Sequence, residues 1–228
     1  MLVLRKLETT WGGTLILSET VLSNLRQDLH DRYWSSELGK DGQAIVIEFG
    51  EGGQPVDIVP SVFAGLRRGV AIYLMPDGER GWIQTSPYNH NRYIDSADHR
   101  SGGKLKSIAK MFKYWRWSRS PQVPLNSFHV ELLLAVEDVC AGVKTYGHCL
   151  AQLFRVLSNR QCRALQDPLA ISGWIKASNT ELQRERSQAS VTDSSLHAAR
   201  ALDAEYVGDT IEALRQWDIV FNGFFPKT

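Results

Sequence analysis

Val56-Asp57-Ile58-Val59-Pro60 is the stretch on which the reading of this chain turns. It sets one carboxylate inside a run that otherwise has the composition of a buried strand. The preceding segment, Gln43-Ala44-Ile45-Val46-Ile47-Glu48-Phe49, is β-branched and roughly alternating. Between them Glu51-Gly52-Gly53-Gln54-Pro55 supplies turn chemistry, so the two runs predict a hairpin. An aspartate between valine and isoleucine is costly to bury unless a cation meets it. Asp57 therefore faces an arginine or lysine, holds a metal ion, or sits at a sheet edge with its carboxylate in water.

The bulk numbers narrow the field. A chain of 228 residues, 43% hydrophobic and 22% charged, has the composition of a globular protein able to bury a substantial core. Its net charge of +1 gives no ground for a nucleic-acid surface or for affinity to anionic membranes. Charge is nevertheless uneven. Arg92, Arg100, Lys104, Lys106, Lys110, Lys113, Arg116 and Arg119 face only Asp95 and Asp98 between residues 92 and 119. That excess suits a small polyanion such as a nucleoside triphosphate, or a solvated helix face. Cys140, Cys149 and Cys162 lack metal-ligand spacing and read as reduced core thiols of a cytoplasmic protein. No apolar run is long enough to span a bilayer, and no signal peptide is visible.

Along the chain, Met1 to Leu4 is a short apolar run that starts abruptly. Ser18 reads as the N-cap of a helix carrying Val21, Leu22, Leu25 and Leu29 on one face. After the hairpin through Asp57, a second hairpin is expected from Gly69–Leu74 through Pro76–Gly81 into Trp82–Gln84. Beyond Pro87 the pattern is helical. One helix buries Leu105, Ile108, Ala109 and Phe112, with Trp115 or Tyr114, and the next is capped by Asn126 or Ser127. A third runs from Tyr146 to Asn159. Asp167-Pro168 opens a loop, Trp174–Ser178 is a short element, and residues 178–193 look polar and exposed. A long alanine-rich helix is expected over Ser195–Trp217.

Three features now fall in order: Asp57 on its strand, Lys113 in Met111-Phe112-Lys113-Tyr114-Trp115, and Ser127 in Ser127-Phe128-His129-Val130-Glu131-Leu132-Leu133. In that order the chain resembles the nucleotidyltransferases related to oligoadenylate synthase and cyclic GMP–AMP synthase, in particular the bacterial cyclic-oligonucleotide synthases. Thr85-Ser86-Pro87 followed by His90, Gly103-Lys104-Leu105-Lys106, Asp167-Pro168 and the Trp217 to Phe225-Pro226 ending agree with it. The resemblance implies an α+β fold, with a nucleotidyltransferase-like mixed sheet over residues 1–87, incomplete at its N-terminal edge, and a helical lobe over residues 88–228. It implies that Asp57 is the third of three catalytic, metal-binding carboxylates, placed on a central strand facing a cleft. Lys113, Ser127 and Ser86 are implied as nucleotide-binding residues, with Lys113 meeting the triphosphate as a point charge. Magnesium, or manganese in its place, is the implied cofactor. Ribonucleoside triphosphates are the implied substrates, and a regulatory protein is an implied partner. Intact relatives make cyclic or linear oligonucleotide second messengers in antiphage defence.

One departure is plain. The Gly-Ser turn and Asp-x-Asp pair that carry the family's first two metal ligands do not occur ahead of Asp57. Met1-Leu2-Val3-Leu4 resembles the end of the strand that follows such a pair, which leads to the expectation that this chain starts just after it. The alternative reading is a non-catalytic nucleotide- or partner-binding protein on the same scaffold.

His90, His99 and His129 show no HxH or HxxxH spacing, so His129 is expected to be packed or half-exposed. Trp115 and Trp117 flank Arg116 and could stack on a base, but a tryptophan at a helix end more often belongs to the core. Gly50, Gly52 and Gly53 precede no helix and make no phosphate loop.

Overall fold

The computed structural model describes residues 2–4, 9–10, 14–50 and 55–226. The chain divides into two compact units, Met1–Asn89 and His90–Thr228.

In the first unit, β1 (Leu2–Leu4) pairs in parallel with β7 (Pro60–Arg67), and β8 (Val70–Pro76) and β9 (Trp82–Thr85) complete a four-stranded sheet in the order β1-β7-β8-β9. A second sheet has the order β4-β5-β6, from Glu37–Asp41, Ala44–Glu48 and Val56–Ile58. The short pair β2 (Thr9–Thr10) and β3 (Thr14–Leu15) stands apart. Helix α1 (Ser18–Arg32) lies against β4, β5 and β8 and buries Leu22. Ile45 and Ile47 are buried while Val46 between them is not, the alternation a half-covered sheet requires.

Both expected hairpins form: β5 pairs antiparallel with β6 and β8 with β9. The turn at residues 51–54 lies outside the described residues. The side chain of Asp77 closes the second turn, its Oδ1 accepting from the N–H groups of Glu79 at 2.7 Å and Gly81 at 3.0 Å. Strands β4 and β7 were not anticipated. Pro60, the last residue of the stretch that carries Asp57, lies outside that strand, which ends at Ile58. It opens β7, where a missing N–H costs nothing at the first position. The β7–β8 turn uses Arg68 and Gly69, both at positive φ, the two-residue geometry that suits twisted strands. Ser18 is not the cap of α1. Leu17 takes that position without a side-chain bond, and Ser18 is the first helical residue, its N–H donating to Arg80 O at 3.2 Å.

Helix α2 (Pro87–Arg100) carries the boundary into the second unit, followed by α3 (Lys104–Trp117), α4 (Ser127–Val136) and α5 (Tyr146–Asn159). A minimal ribbon, β10 (Leu165–Gln166) with β11 (Trp174–Ile175), precedes α6 (Glu181–Tyr206) and α7 (Thr210–Val220). The core is where the apolar periodicity put it: Leu105, Ile108, Phe112 and Trp115 of α3 meet Phe154 of α5 and Leu132–Leu134 of α4. Tyr114 stays on the surface. Ser194, Ala198 and Ala201 give α6 a small-residue face. Trp115 closes onto it, its Nε1–H donating to Ser194 Oγ at 2.9 Å.

The long helix begins earlier than expected and is divided. A capping box at Thr180 and Gln183 starts α6 inside the supposedly exposed polar stretch. Gly208 at φ +80° ends it, and Asp209 caps α7. Cys140, Cys149 and Cys162 are buried free thiols. Burial, aided by neighbouring Cys149, pushes the Cys140 thiol up to about 12. Among the described residues no helix is long and apolar enough to cross a membrane.

Candidate functional site

Two of the residues singled out by sequence share one seam. Lys113 lies on the third turn of α3, and Ser127 is the first residue of α4, whose N-cap is Asn126. The helices run antiparallel. Lys113 Nζ sits 2.8 Å from Glu131 Oε1, and one turn further along α3 Arg116 Nη1 donates to Ser127 Oγ at 2.8 Å. Arg116 also donates from Nε to Val123 O at 2.9 Å, which ties down the connection between the helices. The seam thus presents an ammonium, a guanidinium and a hydroxyl along one line, with Glu131 as its acid. Sequence gave Arg116 a place only in the basic run and gave Glu131 no role at the site. Their signal was spacing: Arg116 is one turn past Lys113, and Glu131 one turn past Ser127.

Behind the seam the side chains are buried. His129 is 1% exposed, and its Nε2–H donates to Arg163 O at 3.1 Å while Nδ1 has no partner among the described residues. Burial pushes this imidazole down to about 4; the Arg163 carbonyl opposes the shift and the charge of Arg160 adds to it. Buried, with its Nε2–H spent on a backbone carbonyl, His129 is a packed residue, one of the two placements expected of it. Trp115 is core, whereas Trp117 is exposed and stacks on Tyr114 with ring centres 5.5 Å apart.

Sequence reading also missed a buried pair. His90 and Asp167 are 1% and 2% exposed, with Nε2 lying 3.0 Å from Oδ2. The carboxylate further accepts the N–H groups of Leu169, Ile171 and Ser172. Burial alone would raise the Asp167 pKa. The hydrogen bonds from His90, Ser172 and Leu169 outweigh it and hold the carboxyl far below the usual carboxylate range. So the two family marks His90 and Asp167-Pro168 are one structural joint.

Ser86 is 1% exposed, and its hydroxyl is committed: it donates to Ala71 O at 2.8 Å and accepts from Asn89 Nδ2 at 2.8 Å. Asp57 lies on β6, the edge strand of the three-stranded sheet, opposite Val46, and is exposed. The central strand expected for it is β5. In the neighbouring sheet Leu2 pairs with Pro60, and its N–H donates to Val59 O at 2.8 Å.

Asp57 has the hard oxygen donors that magnesium takes. One carboxylate does not make a two-ion centre, however, and among the described residues no group of three or more acidic, histidine or cysteine side chains could hold an ion. The described residues do not fit a two-metal site by themselves.

No family model matches the chain. Two curated bacterial proteins resemble it. A probable cyclic nucleotide synthase of Bacillus cereus (strain VD146) is 26% identical over 233 residues, covering 98% of this chain and 67% of that protein. The cyclic AMP-AMP-AMP synthase of Escherichia coli (strain MS 115-1) is 23% identical over 206 residues, covering 80% of this chain and 63% of that protein. Among solved structures, E. coli MS115-1 CdnC with ATP superposes at a TM-score of 0.66 with 17% identity, over 99% of this chain and 76% of that one. CdnC has also been solved in complex with HORMA-deltaN, which matches at a TM-score of 0.64 and 16% identity over 99% and 75% of the two chains. Those structures share the α+β fold, a mixed sheet followed by helices. By sequence over nearly its whole length, and by fold, the chain is a relative of the bacterial cyclic nucleotide synthases.

Proposed function

We propose that this protein binds ribonucleoside triphosphates and serves nucleotidyl transfer, the joining of nucleotides into a cyclic or linear oligonucleotide messenger of the kind used in antiphage defence. The observation that carries the reading is the α3–α4 seam. Lys113 and Ser127, assigned to phosphate by resemblance alone, stand one turn apart on facing helices. An ammonium beside a hydroxyl is chemistry suited to a triphosphate: the first offsets charge, and the second donates to a phosphoryl oxygen. Lys113 would release Glu131 to do so. Asp57 is the proposed metal carboxylate, and magnesium bound with the nucleotide would offset charge on its phosphates. A regulatory protein is proposed as partner, on the ground that CdnC is seen with HORMA-deltaN.

A second reading is nucleotide binding without catalysis, since among the described residues Asp57 belongs to no group of three or more side chains able to hold an ion. One experiment separates the two. The chain is incubated with labelled ATP, GTP, CTP and UTP and magnesium, and products are resolved by chromatography, with ATP binding measured in parallel by calorimetry. Binding without product supports the second reading for these 228 residues. Binding with product supports the first, and the absence of any binding refutes both. Where product forms, Asp57→Asn is expected to abolish it.

A further inference from the structure

We infer that Arg116 is a positioning residue: it holds the Ser127 hydroxyl so that its proton points outward, to a phosphate oxygen of a bound nucleotide. The inference rests on the reading of Ser127 as a phosphate contact. A guanidinium has five N–H donors and no acceptor. In the 2.8 Å bond between them, Ser127 Oγ must therefore be the acceptor. With one lone pair so occupied, the rotation of the O–H is restricted, and it donates to no group among the described residues. The donor side of the hydroxyl is left for a ligand. A charged donor also polarises the O–H it binds, which makes that proton a better hydrogen-bond donor to an anion.

The second arm of Arg116 explains how the first stays in place. Nε is spent on the carbonyl of Val123, which is buried in the connection from α3 to α4. Because the guanidinium is planar, fixing Nε on Val123 O also fixes the direction of Nη1. A lysine could reach one of these acceptors but not hold both at a set angle. Lys113, one turn earlier, delivers its charge along the same seam, so the bound chemistry matched is a run of phosphates rather than a single carboxylate.

A purely structural clamp makes a different prediction, which a double-mutant cycle reads out. Affinity for magnesium–ATP is measured by calorimetry for wild type, Arg116→Gln, Ser127→Ala and the double variant, with thermal melting of each. Each single change is expected to weaken ATP about fivefold to tenfold, the size of one lost hydrogen bond. The double variant is expected to be no weaker than Ser127→Ala alone, and Ser127→Thr, which keeps a hydroxyl, should remain sensitive to Arg116→Gln. Additive losses, or an unchanged affinity in Arg116→Gln, overturn the positioning role and leave Ser127 standing. Unchanged affinity in Ser127→Ala overturns the phosphate reading itself, and the inference with it. Should Arg116→Gln fail to fold, Arg116→Lys, which keeps the charge and loses the fork, carries the same comparison.

Discussion

Lys113 and Glu131 form an ion pair of 2.8 Å in which the lysine side chain keeps 51% of its exposure and the glutamate 27%. A pair this open contributes at most about 1 kcal/mol to stability, because water screens both charges. The lysine is thus held in place without being consumed. Lys113→Ala is expected to leave the melting temperature nearly unchanged while weakening ATP by about 1–3 kcal/mol, the range for a charge-assisted contact. Calorimetry with ATP and magnesium, beside a melting curve, checks both halves. An equal loss of fold and affinity would mean the residue is structural.

Asp57 sits exposed on an edge strand, so nothing in the core depends on it. Asp57→Asn should shift stability by no more than about 0.5 kcal/mol. If the carboxylate meets a metal, the same change should blunt the dependence of ATP affinity on magnesium concentration. A magnesium titration that superposes for both proteins counts against the metal role.

His129 makes stability pH-dependent. Its pKa falls from 6.5 in the unfolded chain to about 4 in the fold. Between those values the unfolded state binds a proton that the folded state refuses, so stability must fall as pH drops from about 6.5 to 4. The full loss amounts to about 3 kcal/mol at one pKa unit per 1.4 kcal/mol. Urea unfolding across that range should show the slope, and His129→Gln should flatten it.

Asp167 acts over a more acidic window. Its carboxyl is held below the ordinary value, so its contribution is complete above the unfolded pKa near 4 and lost as pH falls toward the folded one. At neutral pH, Asp167→Ala would strip acceptors from His90 Nε2 and from three backbone N–H groups. A cost of about 3 kcal/mol or more is expected from leaving such groups bare. Denaturation midpoints at pH 7 measure it directly, and a loss under 1 kcal/mol would mean that water replaces the carboxylate freely.

How much of this was legible from the residues depended on the range of the interaction. Helices α3 and α5 could be read nearly to the residue, because Leu105, Ile108, Phe112 and Trp115 repeat at the helical period and bury the face they define. The helix α6 could not, because the polar run from residue 181 conceals a capping box and its buried side is serine and alanine rather than leucine. Strand β7 escaped because its turn is Arg68-Gly69, where asparagine or aspartate would have advertised a hairpin. At the seam, Lys113 and Ser127 were visible through their order in the chain. For Arg116 the sequence offered only its helical spacing from Lys113, and its bond to Ser127 across two helices left no pattern of its own. The His90–Asp167 joint, spanning 77 positions, was beyond any periodicity.

The parallel pairing of Leu2 with Pro60 has a kinetic side. Strand β1 cannot find its partner until residues 58 positions apart have been drawn together, a closure whose entropy must be met before any ladder bond rewards it. The helices α6 and α7, by contrast, meet across a tight Val207–Asp209 connection. During refolding the helical hairpin should therefore gain protection from amide exchange well before the edge of the four-stranded sheet.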